Sequence, residues 1–71
     1  MEQQEKREKG YLRYRQLADE NGGMSDYMIA KKAGFSQVTL TDWRKGKSMP
    51  KVDKLQKVAA VLGVKLEELL A

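Results

Sequence analysis

Apolar positions along this chain recur three and four residues apart and never alternate with polar ones for long enough to suggest a strand, so the pattern predicts helices throughout. The clearest stripe is Leu55, Val58, Ala59 and Leu62, spaced i, i+3, i+4, i+7, which marks the buried face of a helix over residues 52–62. Tyr11, Tyr14, Leu17 and Ala18 make a comparable face on a first helix, about 10–20, which Asn21-Gly22-Gly23 stops. Ser25 and Ser36 stand where N-caps are expected, opening helices of 26–33 and about 37–45; Asp26 falls in a first turn, where negative charge suits the helix dipole. Gly34, Gly46 and Gly63 close successive helices, and a short last helix, 66–70, carries Leu66, Leu69 and Leu70 on one side. The polar stretch before Gly10 reads as an N-terminal extension over 1–9, frayed or helical, ahead of a domain spanning 10–71.

The segment from Asp26 to Trp43 is two short helices joined by a tight turn. Ala30 is small enough for the following helix to cross close to its backbone, and Gly34 can take the positive φ that swings the chain round. Ile29, Ala33, Phe35, Leu40 and Trp43 are then expected to close a small core with the first and fourth helices. This is a helix-turn-helix pattern, and the helix starting at Gln37 is the recognition helix. With Leu40 and Trp43 inward, Gln37, Val38, Thr41, Asp42 and Lys45 must point outward. A glutamine amide can bond adenine through two hydrogen bonds, and a valine or threonine methyl can touch the thymine methyl, so A·T-rich contacts are expected near Gln37 and Val38. Asp42 would accept from cytosine N4 or repel the wrong sequences.

Charge sharpens that picture. The chain has 71 residues and a net charge of +4. Residues 31–57 hold Lys31, Lys32, Arg44, Lys45, Lys47, Lys51, Lys54 and Lys57 against Asp42 and Asp53, a net of +6, while the segments on either side are slightly acidic. A basic block of this kind suits a polyanionic partner, although a solvated lysine-rich surface gives the same count. The absence of Cys and His removes zinc sites, thiol nucleophiles and a histidine base, so no enzyme activity, metal or cofactor is expected. Glu67 and Glu68 are adjacent on a helix and diverge, which does not make a catalytic pair. Met24, Met28 and Met49 read as apolar contacts. No apolar run is long enough for a membrane span and the N-terminus is unlike a signal peptide, so a soluble, cytoplasmic protein is expected.

The runs S-D-Y-M-I-A-K-K-A-G-F-S-Q-V-T-L-T-D-W-R-K-G-K-S-M-P and K-L-Q-K-V-A-A-V-L-G-V-K-L-E-E-L-L resemble the DNA-binding domains of lambda-repressor-like and Cro-like regulators, the Xre family. The resemblance covers about residues 11–71. It implies an all-α, compact five-helix domain that binds double-stranded operator DNA as a homodimer and regulates transcription, as a repressor of phage or bacterial type, in the nucleoid of a bacterial or phage-infected cell. Gln37, Val38, Thr41 and Asp42 match the family's base-reading positions; Ser25, Thr39, Lys45, Lys47 and Lys51 match positions near phosphates. Two departures stand out. Asp26 occupies a position where most members carry glutamine, so the phosphate contact there would pass to Tyr27 or Lys31. Arg44 replaces a glutamate that often pairs with an arginine on the first helix, and Asp19 or Glu20 would supply the reversed pair. Val64 and Leu70 are candidates for an exposed dimer contact. The rival reading is a protein-interaction module of the same fold, an antitoxin or phage adaptor with its basic face on an acidic protein.

Overall fold

The computed structural model describes residues 2–70, with side chains from Gly10 onward. Five helices follow one another: α1 Glu2–Glu20, α2 Asp26–Ala33, α3 Gln37–Arg44, α4 Val52–Leu62 and α5 Leu66–Leu70. The helix begins eight residues before Gly10, and the third ends one residue earlier than its sequence pattern predicts, with Lys45 as its cap.

Local chemistry sets these boundaries. Ser25 Oγ accepts the Met28 N–H at 3.2 Å and Ser36 Oγ accepts the Val38 N–H at 3.2 Å, so each cap satisfies a backbone donor that the first helical turn leaves free. The turn between α2 and α3 depends on Gly34, whose φ of 87° is left-handed. Its N–H and that of Phe35 both reach the Ala30 carbonyl, at 2.8 and 3.1 Å. α4 ends in the same way at Gly63, where the Val64 N–H reaches the Ala59 carbonyl at 3.0 Å. At α5 the Glu68 carboxylate accepts the Lys65 N–H at 2.7 Å, the acidic half of a capping box without the hydroxyl half.

The core lies where the helices converge. α1 packs on α3 and α5, α2 on α3 and α4, and α4 on α5. Trp43 is wholly buried, its ring 5.3 Å from that of Tyr14 and 5.9 Å from that of Tyr11, the latter edge-on. Such offset and edge contacts suit the aromatic quadrupole and add to the area buried. Tyr14, Leu17, Ala18, Ile29, Ala30, Leu40, Leu55, Val58, Ala59, Leu62 and Leu69 complete the buried cluster. Gly10 sits against the indole: a Cβ there would come 3.3 Å from both Trp43 Cζ2 and Nε1. Close approach to the tryptophan explains a glycine inside a helix, where alanine would otherwise be favoured by about 1 kcal/mol.

Several expectations about burial are corrected. Ala33 is half-buried, because α2 ends there and the chain turns at the exposed Gly34 before another turn of helix can cover it. Phe35 is also only partly buried, packed on the edge of the core. Val64 packs against the core instead of remaining exposed, as an apolar residue just beyond a left-handed helix cap does. Met28 and Met49 are exposed, while Met24 packs on the core as expected, and Leu70 stays exposed and apart from Leu69.

Candidate nucleic-acid interface

The outward face of α3 carries the side chains that the helical spacing assigns to it. Gln37, Val38 and Lys45 are exposed, Thr41 and Asp42 half-exposed, and Thr39 half-buried beside them. Val38 is 61% exposed, so its methyl groups are free to meet a partner surface. After the helix the chain folds back on itself. The Lys47 N–H reaches the Asp42 carbonyl at 2.8 Å and the Ser48 N–H reaches it at 3.4 Å, which ties the basic loop to the last turn of α3. Lys45, Lys47 and Lys51 are all exposed there.

The two larger clefts beside α3 bear on this face. One, of about 500 Å³, opens toward α1 and α2 and is lined by Tyr11, Arg15, Asp26, Tyr27, Gln37, Thr41 and Arg44, with Ser25 at its edge. The other, also of about 500 Å³, lies against the loop and α4, with Val38, Thr39, Asp42, Met49, Lys51 and Lys54 among its walls. The four base-reading candidates thus divide into two pairs, Gln37 and Thr41 on one side, Val38 and Asp42 on the other. Tyr27 and Lys31 form a unit of their own, the ammonium 5.9 Å from the ring centre.

Asp26 does more than its place in the first turn suggested. Its Oδ1 accepts from Tyr14 Oη at 2.7 Å and from Arg15 Nη1 at 2.9 Å, and its Oδ2 accepts from Tyr11 Oη at 2.7 Å. Arg15 also donates to Asp19 at 2.7 Å and to the Met24 carbonyl at 2.9 Å. One carboxylate therefore binds α2 to α1 through three donors. Burial, and then the hydrogen bond to Asp26, push the Tyr11 hydroxyl up to about 12 and the Tyr14 hydroxyl higher still. For Arg15 burial works downward, but the hydrogen bonds to Asp19 and Asp26 outweigh it and hold the guanidinium firmly charged.

The expected pair between Arg44 and Asp19 or Glu20 does not form, because Asp19 accepts from Arg15 on its own helix. Sequence reasoning also passed over Arg15 and the tyrosine hydroxyls. Their signal was the spacing Tyr11, Tyr14, Arg15, which puts two phenols and a guanidinium on one helical face, together with the rule that a buried tyrosine seeks a partner for its hydroxyl.

Among the described residues no helix is long and apolar enough to cross a membrane, and no group of three or more metal-ligating side chains comes together. No solved structure is a significant match to the chain. An uncharacterized HTH-type transcriptional regulator of Haemophilus influenzae is 41% identical over 51 residues, which are 72% of this chain and 20% of that protein. The chain therefore spans about a fifth of the length of this relative. The sequence profile of a helix-turn-helix family matches residues 15–69, taking in the Arg15–Asp26 link, α2, α3 and the loop that follows, and the chain belongs to this family, the lambda-repressor-like, Xre type of helix-turn-helix domain.

Proposed function

We propose that this domain binds specific double-stranded DNA as a regulator of transcription, with α3 in the major groove. One observation carries the reading: the outward face of α3, with Gln37, Val38, Thr41 and Asp42, is continuous with the lysine-bearing loop that follows it. A glutamine and small apolar groups match what adenine and thymine present in the major groove, and Lys45, Lys47 and Lys51 stand where the flanking phosphates would pass. Ser25, Tyr27, Lys31 and Thr39 are the other phosphate-contact candidates. The relative's description as a transcriptional regulator supports the same role. Repression is the sign of regulation we favour, with a homodimer formed through α5, where Leu70 is exposed, on half-sites about 34 Å apart.

Titration of a labelled duplex library at low and moderate salt tests the proposal. Affinity should fall steeply as salt rises. Lys47→Ala should weaken binding to all sequences and flatten the salt slope by about one. Gln37→Ala should relax preference at a single base pair, by about 1 to 3 kcal/mol. Absence of binding at low salt would overturn the proposal and favour a protein-interaction module.

A further inference from the structure

Arg15, the α1 arginine that faces α2, is engaged by Asp26 and Asp19, so its charge is balanced within the α1–α2 link. Arg44, on α3, is exposed and makes no hydrogen bond or ion pair with the described residues, yet it lines the same cleft as Arg15, Asp26 and Tyr27. With Asp26 matched by Arg15, the unbalanced charge in that cleft belongs to Arg44.

Its register on the helix says what that charge faces. Gln37, Thr41 and Arg44 are spaced i, i+4, i+7, and all three line the cleft, so they form one stripe down α3. Arg44 lies about 10 Å further along the axis than Gln37. That is comparable to the major-groove depth of about 8.5 Å, the distance from base edges to the phosphate rim. If Gln37 reads the floor of the groove, a side chain at Arg44 meets its wall, which is made of phosphates. A guanidinium offers two parallel donors to a phosphate and cannot lose its proton.

We infer that Arg44 is a further DNA-contacting residue, gripping a backbone phosphate at the mouth of the cleft between α2 and α3. The inference rests on the DNA-binding reading above. It adds an anchor on the side of α3 opposite the lysine loop, so that the helix is held from both flanks.

The test compares the wild-type domain with Arg44→Gln and Arg44→Lys on the tightest duplex recovered from a random library, across a range of salt. Arg44→Gln should bind about tenfold more weakly at moderate salt. The slope of log K against log salt should flatten by about one. Arg44→Lys should keep the slope and lose part of the affinity. Thermal midpoints should be unchanged, since Arg44 is exposed and unpaired. Phosphate-ethylation interference should show one modified phosphate that weakens the wild type and leaves Arg44→Gln unaffected. If the wild type binds and Arg44→Gln matches it in affinity and slope, or binds more weakly with an unchanged slope, the inference is overturned while DNA binding stands. A wild type that binds no duplex overturns the DNA-binding reading itself.

Discussion

The two clefts beside α3 enclose equal volumes, about 500 Å³ each, and are built in opposite ways. On the α1 side the walls are fixed by side chains far apart in sequence: Asp26 holds Tyr11, Tyr14 and Arg15, and the aromatic rings lean on Trp43. On the loop side the order comes from backbone bonds to the Asp42 carbonyl, while Val38, Met49 and Lys51 project from the walls into solvent. A satisfied polar network in a partly buried place makes geometry unique, because each donor left without its acceptor is costly. An unbranched methionine and long lysines adapt to whatever surface arrives. The domain thus joins a stiff flank to a compliant one, and the stiff flank sets the angle at which α3 is presented.

The largest way to break this contrast is Asp26→Ala. It strands two phenols and a guanidinium and should lower unfolding free energy by about 3 kcal/mol in chemical denaturation. The matching change on the compliant side, Asp53→Ala, should stay within about 0.5 kcal/mol, as exposed substitutions usually do. A cost below about 1 kcal/mol for Asp26→Ala would put the two flanks on one footing. Gly10→Ala comes next. The helix gains about 1 kcal/mol in propensity. Crowding of the added methyl against the buried indole should cost about 2 kcal/mol, so the midpoint should fall modestly.

Alkaline titration sharpens the same contrast by a subtler effect. The Tyr11 and Tyr14 hydroxyls ionise later in the folded chain than the usual value near 10, Tyr11 at about 12. Their neutral form therefore favours the folded state. The contribution is complete below pH 10 and disappears as pH rises through the folded values, because the unfolded chain gives up those protons first. Stability followed by circular dichroism should decline above pH 10, and the decline should be shallower in Tyr11→Phe. An identical decline in that variant would detach Tyr11 from the network.

Where the sequence was transparent, the cause was local. Ser25, Ser36, Gly34 and Gly63 announce helix ends through bonds to residues two to five away, and the stripe on α4 is visible because all four of its members share one helix. The outward face of α3 followed once Leu40 and Trp43 were turned inward, and both are buried. What stayed hidden depends on distance. Asp26 had a sufficient local explanation as a first-turn acid, and nothing nearby in the chain points to partners 11 to 15 residues upstream. Arg44 looked like half of an ion pair because Asp19 and Glu20 were available; Arg15, four residues before Asp19, had the shorter path. Val64 escaped because its packing arises from the cap geometry at Gly63 and not from any helical period.

The buried indole has a practical consequence. Trp43 is the only tryptophan in the chain, fully enclosed, with its Nε1 lacking any hydrogen-bond partner among the described residues. Its emission should be strongly blue-shifted while the domain is folded and move to the red in denaturant, with two tyrosines close enough to pass it excitation energy. Since the ring looks inward from α3, the signal follows folding and is blind to whatever settles on the opposite face of the helix. One intrinsic fluorophore thus separates loss of structure from loss of binding in every variant described above.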